Sequence, residues 1–272
     1  MSIIHIENLT RDYKDNKGIF NISFDINEGE VFGFLGPNGA GKTTTIRHLL
    51  GFLKAREGKV EINGLDVWNN HEKLLENVGY IPGEIAFFDN MTGLEYLKFI
   101  RAYRKDKQNR MDELIRMFDL NPKVKIRKMS KGMKQKVGIV AAFMHDPAIL
   151  ILDEPTSGLD PLMQQKFIEL IDSEKKRGKT ILLSSHMFEE VERTCDRIGI
   201  IRNGHLVALD SVEELRKQYV HNYEVTLKDE KEAIAFAKDF NGIRDGLKVK
   251  VSSKESLEDI FMKYYDGGQD ND

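Results

Sequence analysis

Eight consecutive residues, Gly36-Pro37-Asn38-Gly39-Ala40-Gly41-Lys42-Thr43, fit the spacing G-x-x-x-x-G-K-[ST]. That pattern is built for phosphate. Glycines let the backbone curl with its N–H groups inward, and the helix N-terminus behind them favours negative charge. Lys42 is placed to reach the outer phosphates of a nucleotide and the Thr43 hydroxyl to hold Mg²⁺. Gly36 through Thr44 is therefore assigned to the nucleotide. A second apolar run, Ala148 to Leu152, ends in two adjacent acids, Asp153 and Glu154. Open α/β sheets place ligands at the carboxyl ends of such strands, and pleating sends neighbouring side chains apart. Asp153 is thus expected in the Mg²⁺ shell with Thr43, and Glu154 beside a water beyond the last phosphate. His186 stands just past a third apolar run, Thr180 to Ser184, as a candidate phosphate contact. Ser130 sits where an N-cap belongs. It either only caps a helix or also offers its hydroxyl and the following N–H groups as a second phosphate site. Tyr13 is either a strand-end tyrosine or an aromatic that stacks on adenine; the glycine loop downstream favours stacking.

These groups need strands to end beside one another and helices to begin there. Val31-Phe32-Gly33-Phe34-Leu35 reads as a short buried strand running into the glycine loop, and Thr44 to Leu50 as a helix stopped by Gly51. Ile3 to Ile6, Phe20 to Ile26, Gly58 to Gly64 and Val78 to Ile81 read as further strands. Thr92 to Arg104 and Met111 to Leu120 carry apolar residues at helical spacing, with Thr92 and Glu95 forming a capping box. The stretch from about 84 to 146 is thus expected to be mostly helical, inserted between strands. Ser157-Gly158-Leu159-Asp160 reads as a turn, with Pro161 in the first turn of the next helix. Lys and Arg are dense at 101–110 and 123–136, which reads as a solvated helix face, with a nucleic-acid groove as the lesser alternative.

Composition narrows the classes. The chain has 272 residues, with 41 Lys+Arg against 44 Asp+Glu and a net charge of −3, so global charge provides no reason to bind nucleic acid. Its single cysteine, Cys195, excludes an internal disulfide framework. No apolar run reaches the length of a membrane span and no signal-peptide pattern opens the chain, so at a membrane another chain is expected to supply the span.

With these residues assembled, the sequence resembles the ATP-binding cassette (ABC) family, specifically a stand-alone ATPase subunit of a transporter, over about residues 3–219. Met129-Ser130-Lys131-Gly132-Met133 is similar to the family signature, followed in order by Asp153-Glu154-Pro155-Thr156-Ser157-Gly158-Leu159-Asp160 and His186. The resemblance implies a P-loop NTPase α/β cassette in residues 1–220: a RecA-like sheet core, an antiparallel β-subdomain and an inserted helical subdomain. It implies ATP and Mg²⁺ as cofactors, Glu154 and His186 as the catalytic pair, and Thr43 and Asp153 at the metal. It also implies a second cassette packed head to tail, so that Ser130, Lys131, Gly132 and Met133 act in trans and Ser157 to Asp160 crosses to the partner. A transmembrane permease would dock on the insert around Glu84, Phe87, Phe88 and Tyr96, unless those aromatics form the insert's own core. The chain would then sit peripherally on the cytoplasmic face of the membrane, with export the preferred direction. Two departures stand out. Lys131 and Met133 replace Gly and Gln of the usual signature, and Gly83-Glu84 stands where the family places a Gln after Tyr80-Ile81-Pro82.

Residues 221–272 read as a small α+β module in the order β-α-β-α, with Ser256 to Phe261 as the last helix and 267–272 frayed. Two rival readings are a soluble ABC protein acting on ribosomes or DNA, and a weakly hydrolysing regulatory subunit suggested by the missing Gln.

Overall fold

The computed structural model describes residues 2–15, 17–104, 110–218, 220–240 and 242–254. It falls into two compact units, Met1–Leu209 and Asp210–Asp272, dividing inside strand β10 (His205–Ser211), ahead of the 220/221 position read from the sequence.

In the first unit β1 (Ser2–Asp12), β2 (Gly18–Asn27), β4 (Glu57–Ile62) and β5 (Leu65–Asp66) form an antiparallel sheet in the order β2-β1-β4-β5. Burial alternates along β2, so one face is solvated and the other packs inward. Phe24 stacks on Phe32 at 4.9 Å and tilts against Phe34 at 5.5 Å, joining this sheet to the central one.

The central sheet runs β10-β9-β3-β8-β7-β6. It contains β3 (Val31–Leu35), β6 (Val78–Ile81), β7 (Ile149–Asp153), β8 (Thr180–Ser185) and β9 (Arg197–Arg202) as parallel neighbours. Every residue of β3, β7 and β8 is buried. Continuous apolar runs of this kind belong to parallel strands covered on both faces. Register then does the functional work: Leu35 lies opposite Ser185, and Asp153 opposite Ser184. The glycine loop, the Asp153–Glu154 pair and His186 therefore leave the sheet at one end.

Helix α1 (Lys42–Leu49) follows the glycine loop, opening two residues before the expected Thr44, and α2 (Val67–Leu75) follows β5. The insert holds α3 (Gly93–Arg104), α4 (Met111–Met117), a 3-10 turn at Ile126–Lys128 and α5 (Lys131–Phe143). The capping box forms: Glu95 Oε2 accepts from Thr92 N at 2.7 Å, and Thr92 Oγ1 accepts from Glu95 N at 3.2 Å. The insert is tied to the core by charge. Arg110 donates to Glu174 at 2.6 Å, Arg177 bridges Glu174 at 3.0 Å and Asp146 at 2.8 Å, and Lys179 reaches Asp146 at 2.9 Å. Glu174 lies on α6 (Pro161–Lys176), which α7 (Phe188–Thr194) follows after β8. Cys195 is buried, and burial pushes its thiol up to about 12, leaving it protonated and inert.

The second unit contains α8 (Val212–Gln218), β11 (Val220–Thr226), α9 (Glu230–Asp239), β12 (Ile243–Asp245) and β13 (Lys248–Lys254). Its sheet is antiparallel, β11-β13-β12. From β11 onward the order is β-α-β-β over the described residues. The short β12 escapes notice in the sequence because Ile243 is its one apolar residue; pairing with β13 across the Gly246 turn defines it. The expected helix at 256–261 and the tail at 267–272 lie outside the described residues.

Candidate nucleotide site

Gly39 and Gly41 have φ of 83° and 114°, a left-handed region closed to most side chains, so the loop between β3 and α1 can curl as the motif requires. Lys42 Nζ donates to the Gly36 carbonyl at 2.5 Å and the Pro37 carbonyl at 3.2 Å, and lies 3.2 Å from Glu154 Oε1. Its ammonium is held over the mouth of the loop. A cavity of about 470 Å³ opens there, lined by Tyr13, Pro37, Asn38, Gly39, Gly41, Lys42, Thr43, Thr44 and Glu154 among others. Tyr13 is 47% exposed, and the Arg11 guanidinium lies over its ring, 5.2 Å from the centroid. Ala40 points the other way and is buried; its contribution is backbone, accepting from Gly204 N at 3.0 Å.

Asp153 is fully buried. Thr43 Oγ1 donates to its Oδ2 at 2.8 Å and Ser184 Oγ to its Oδ1 at 2.5 Å. A buried carboxylate beside a hydroxyl is the hard oxygen set that suits Mg²⁺, which binds through one or two carboxylates plus substrate phosphates rather than an all-protein cage. No cluster of three or more His, Cys, Asp or Glu that could by itself hold a metal ion occurs among the described residues. Asp153 and Glu154 do diverge as expected, but pleating is not the cause. β7 ends at Asp153 and Glu154 has φ of 50°, a left-handed conformation unusual for a side chain this long. That turn aims Glu154 toward Lys42 and toward His186, whose Nδ1 lies 2.6 Å from Oε2.

Ser130 caps α5, accepting from Met133 N at 3.2 Å. Ser130, Gly132 and Met133 do not line the cavity that holds Lys42. Lys131 donates to Ser157 Oγ at 2.9 Å, and a Cβ on Gly132 would lie 2.6 Å from the Gly158 carbonyl oxygen, so the signature and the Ser157–Asp160 turn are packed together. Asp160 caps α6, accepting from Met163 N at 3.0 Å. Gly83 faces the Asp153 carboxylate: a Cβ there would be 3.3 Å from Asp153 Oδ2. Glu84 lines a second cavity with Lys131, Lys134, Glu154 and His186. Phe87, Tyr96, Phe88 and Phe99 form one ring cluster, in which Phe88 and Phe99 stay half exposed.

Sequence reasoning missed several residues. Lys17, Gly18 and Asn203 line the nucleotide cavity beside Tyr13. Ser184 holds Asp153, and Gln135 Nε2 donates to the Pro155 carbonyl at 2.7 Å, bracing the loop after Glu154 from α5. Two serines closing an apolar strand directly before His186 were the legible signal for Ser184; nothing local marks Asn203, which arrives through the turn between β9 and β10.

A strand, a glycine loop closed by lysine, a helix, and a buried aspartate two strands away define a P-loop nucleotide-binding protein of α/β fold. The profile described as ABC transporter matches residues 19–157, just over half the chain. The bacitracin transport ATP-binding protein BcrA of Bacillus licheniformis is 35% identical over 98% of both chains. The ABC-type transporter ATP-binding protein EcsA of Bacillus subtilis is 36% identical over 80% of this chain and 91% of its own. Among solved structures, an ATP-binding subunit of an ABC transporter superposes with a TM-score of 0.73 at 32% identity, covering 80% of this chain and 93% of that one. A dimeric bacterial ABC transporter cassette gives 0.66 at 26% identity, over 77% and 98%. The chain belongs to the ABC transporter ATP-binding family and is an ATPase of that family. No helix among the described residues is long and apolar enough to cross a membrane.

Proposed function

We propose that two copies of this cassette, or one copy and a paralogue, pack head to tail around ATP and hydrolyse it to drive export through a separate membrane-spanning subunit. The carrying observation is that Ser130, Gly132 and Met133 do not line the chain's own nucleotide cavity, whereas Lys42 and Glu154 do, with His186 held 2.6 Å from Glu154. Each chain thus holds half a site, and Ser130 and Gly132 serve the γ-phosphate bound by the partner. Relatives named for bacitracin transport and for linearmycin resistance support export, as does the half-exposed aromatic cluster for a permease dock on the cytoplasmic side.

Within one site, Lys42 and the loop N–H groups bind the phosphates and stabilise their charge. Thr43 and Asp153 would hold Mg²⁺, which when bound neutralises the developing phosphate charge. Glu154 takes the role of general base, orienting the attacking water and accepting its proton. His186 fixes Glu154 through the 2.6 Å contact and contacts the γ-phosphate. Tyr13 stacks on the base.

Glu154→Gln should keep ATP binding, lose most turnover and accumulate a closed dimer by gel filtration with Mg·ATP; full hydrolysis would overturn the assigned role. Mixing tests the trans arrangement. Lys42→Ala and Ser130→Arg chains, each inactive alone, should regain part of the activity together, because one composite site is then intact. No recovery, with dimers present, would argue for sites complete within one chain.

A further inference from the structure

Behind His186 lies a carboxylate that the mechanism does not use. Glu190 sits in the first turn of α7 and is 3% exposed. Its Oε2 accepts from Ser185 Oγ at 2.7 Å, and Ser185 Oγ accepts from Met187 N at 3.0 Å. Ser185 and Met187 are the residues on either side of His186. The carboxylate, the hydroxyl and the backbone N–H thus form a continuous relay around the segment that carries the imidazole. The relay stands in for a cap: Met187 opens α7 with no side-chain hydrogen bond of its own, and a Glu at this helix position ordinarily reaches back to the cap N–H directly. Here it does so through a serine that is also the last residue of β8, so the helix, the sheet and the His186 backbone are fixed to one another.

We propose that Glu190 is a positioning residue of the ATP site. Acting through the Ser185 hydroxyl, it sets the backbone of His186 and thereby the 2.6 Å contact that places Glu154. This rests on the reading of His186 and Glu154 given above. Burial, which disfavours the charged form, raises the Glu190 carboxyl to about 7; the nearby Glu154 charge adds to this, while Ser185 and Thr156 oppose it. Oε1 makes no hydrogen bond of ordinary geometry. The polar and charged side chains that share its small cavity are Thr156 from the loop after Glu154, Gln164 and Gln165 from α6, and Glu189 and Arg193 from α7 itself. Arg193 is engaged by Gln165 at 2.8 Å.

The experiment is steady-state hydrolysis of Mg·ATP by the full chain, with ATP binding measured separately. Glu190→Ala should lower kcat roughly tenfold to a hundredfold, the scale of a misplacement of about an ångström, with ATP affinity unchanged. Ser185→Ala should do the same, and the double variant should be no worse than either single one, because both break one relay. Glu190→Gln keeps an acceptor oxygen and should restore most of kcat. A merely structural role would instead give additive losses with lowered thermal stability, and no rescue by Gln. Normal kcat in both Glu190→Ala and Ser185→Ala, beside an inactive His186→Ala, would overturn this inference alone. Full activity in His186→Ala would overturn the reading of the site beneath it.

Discussion

Glu154 shows how a single backbone choice shapes the site. Held at φ of 50°, it costs of order 1–3 kcal/mol of local strain. The surrounding bonds over-determine it: its N–H donates to the Ser184 carbonyl at 3.1 Å, and its carboxylate lies between Lys42 and His186. The residue types of this site were legible because phosphate chemistry restricts them tightly; the left-handed turn was not, because no local sequence rule asks for it at a glutamate. Gly132 offers a sharp test at this scale. Gly132→Ala places a Cβ 2.6 Å from a backbone oxygen of Gly158, which cannot swing aside as a flexible side chain could. It should lower ATPase activity while leaving ATP binding to the loop intact, as measured by nucleotide titration. Glu84 is the residue that carries an oxygen next to side-chain-free Gly83. If it supplies what the absent glutamine would, Glu84→Ala will reduce hydrolysis in the presence of the membrane partner; unchanged hydrolysis and transport would remove it from the mechanism.

Among elements, the central strands were readable because burial on both faces imposes unbroken apolar runs on β3, β7 and β8. β12 was not, since its existence depends on pairing across a turn rather than on its own composition. Nor did the basic run through Arg110 announce its use. It read as a solvated face, whereas Arg110 is committed to the nearly buried Glu174, an attachment visible only when residues 64 positions apart meet. Removing one member of such a cluster leaves opposing charges without compensation. Glu174→Ala should therefore cost about 3–5 kcal/mol in chemical denaturation. The loss should shrink in Arg110→Met/Glu174→Leu, where both charges leave together. An unchanged midpoint in Glu174→Ala would show that the clasp between insert and core carries no stability.

At the scale of the molecule, two groups of carboxyls divide the pH response. Glu190 is raised from its ordinary 4.5 to about 7, so the folded chain holds that proton more tightly than the unfolded one. Its stabilising contribution is complete below about 4.5 and is lost as pH rises through about 7. Thermal unfolding should show this as a midpoint that declines across that window, and Glu190→Gln should flatten the decline. Asp146 behaves oppositely. Although burial works against it, hydrogen bonds and charge from Lys179 and Arg177 hold it below its usual value, so its contribution is present at neutral pH and disappears in acid. A separate question belongs to the second unit, in which no catalytic set is found among the described residues. Ending the chain at Val220 should leave nucleotide binding unchanged, and comparison of dimerisation with and without the module will show whether it serves the pair.

The contact of Lys131 with Ser157, and of Gly132 with the Gly158 carbonyl, has a mechanical meaning for such a pair. In the proposed head-to-tail pair, the segment offered to a neighbour's triphosphate and the turn three residues past Glu154 would move as one piece. Release of that piece by the neighbour would then be felt at the chain's own site.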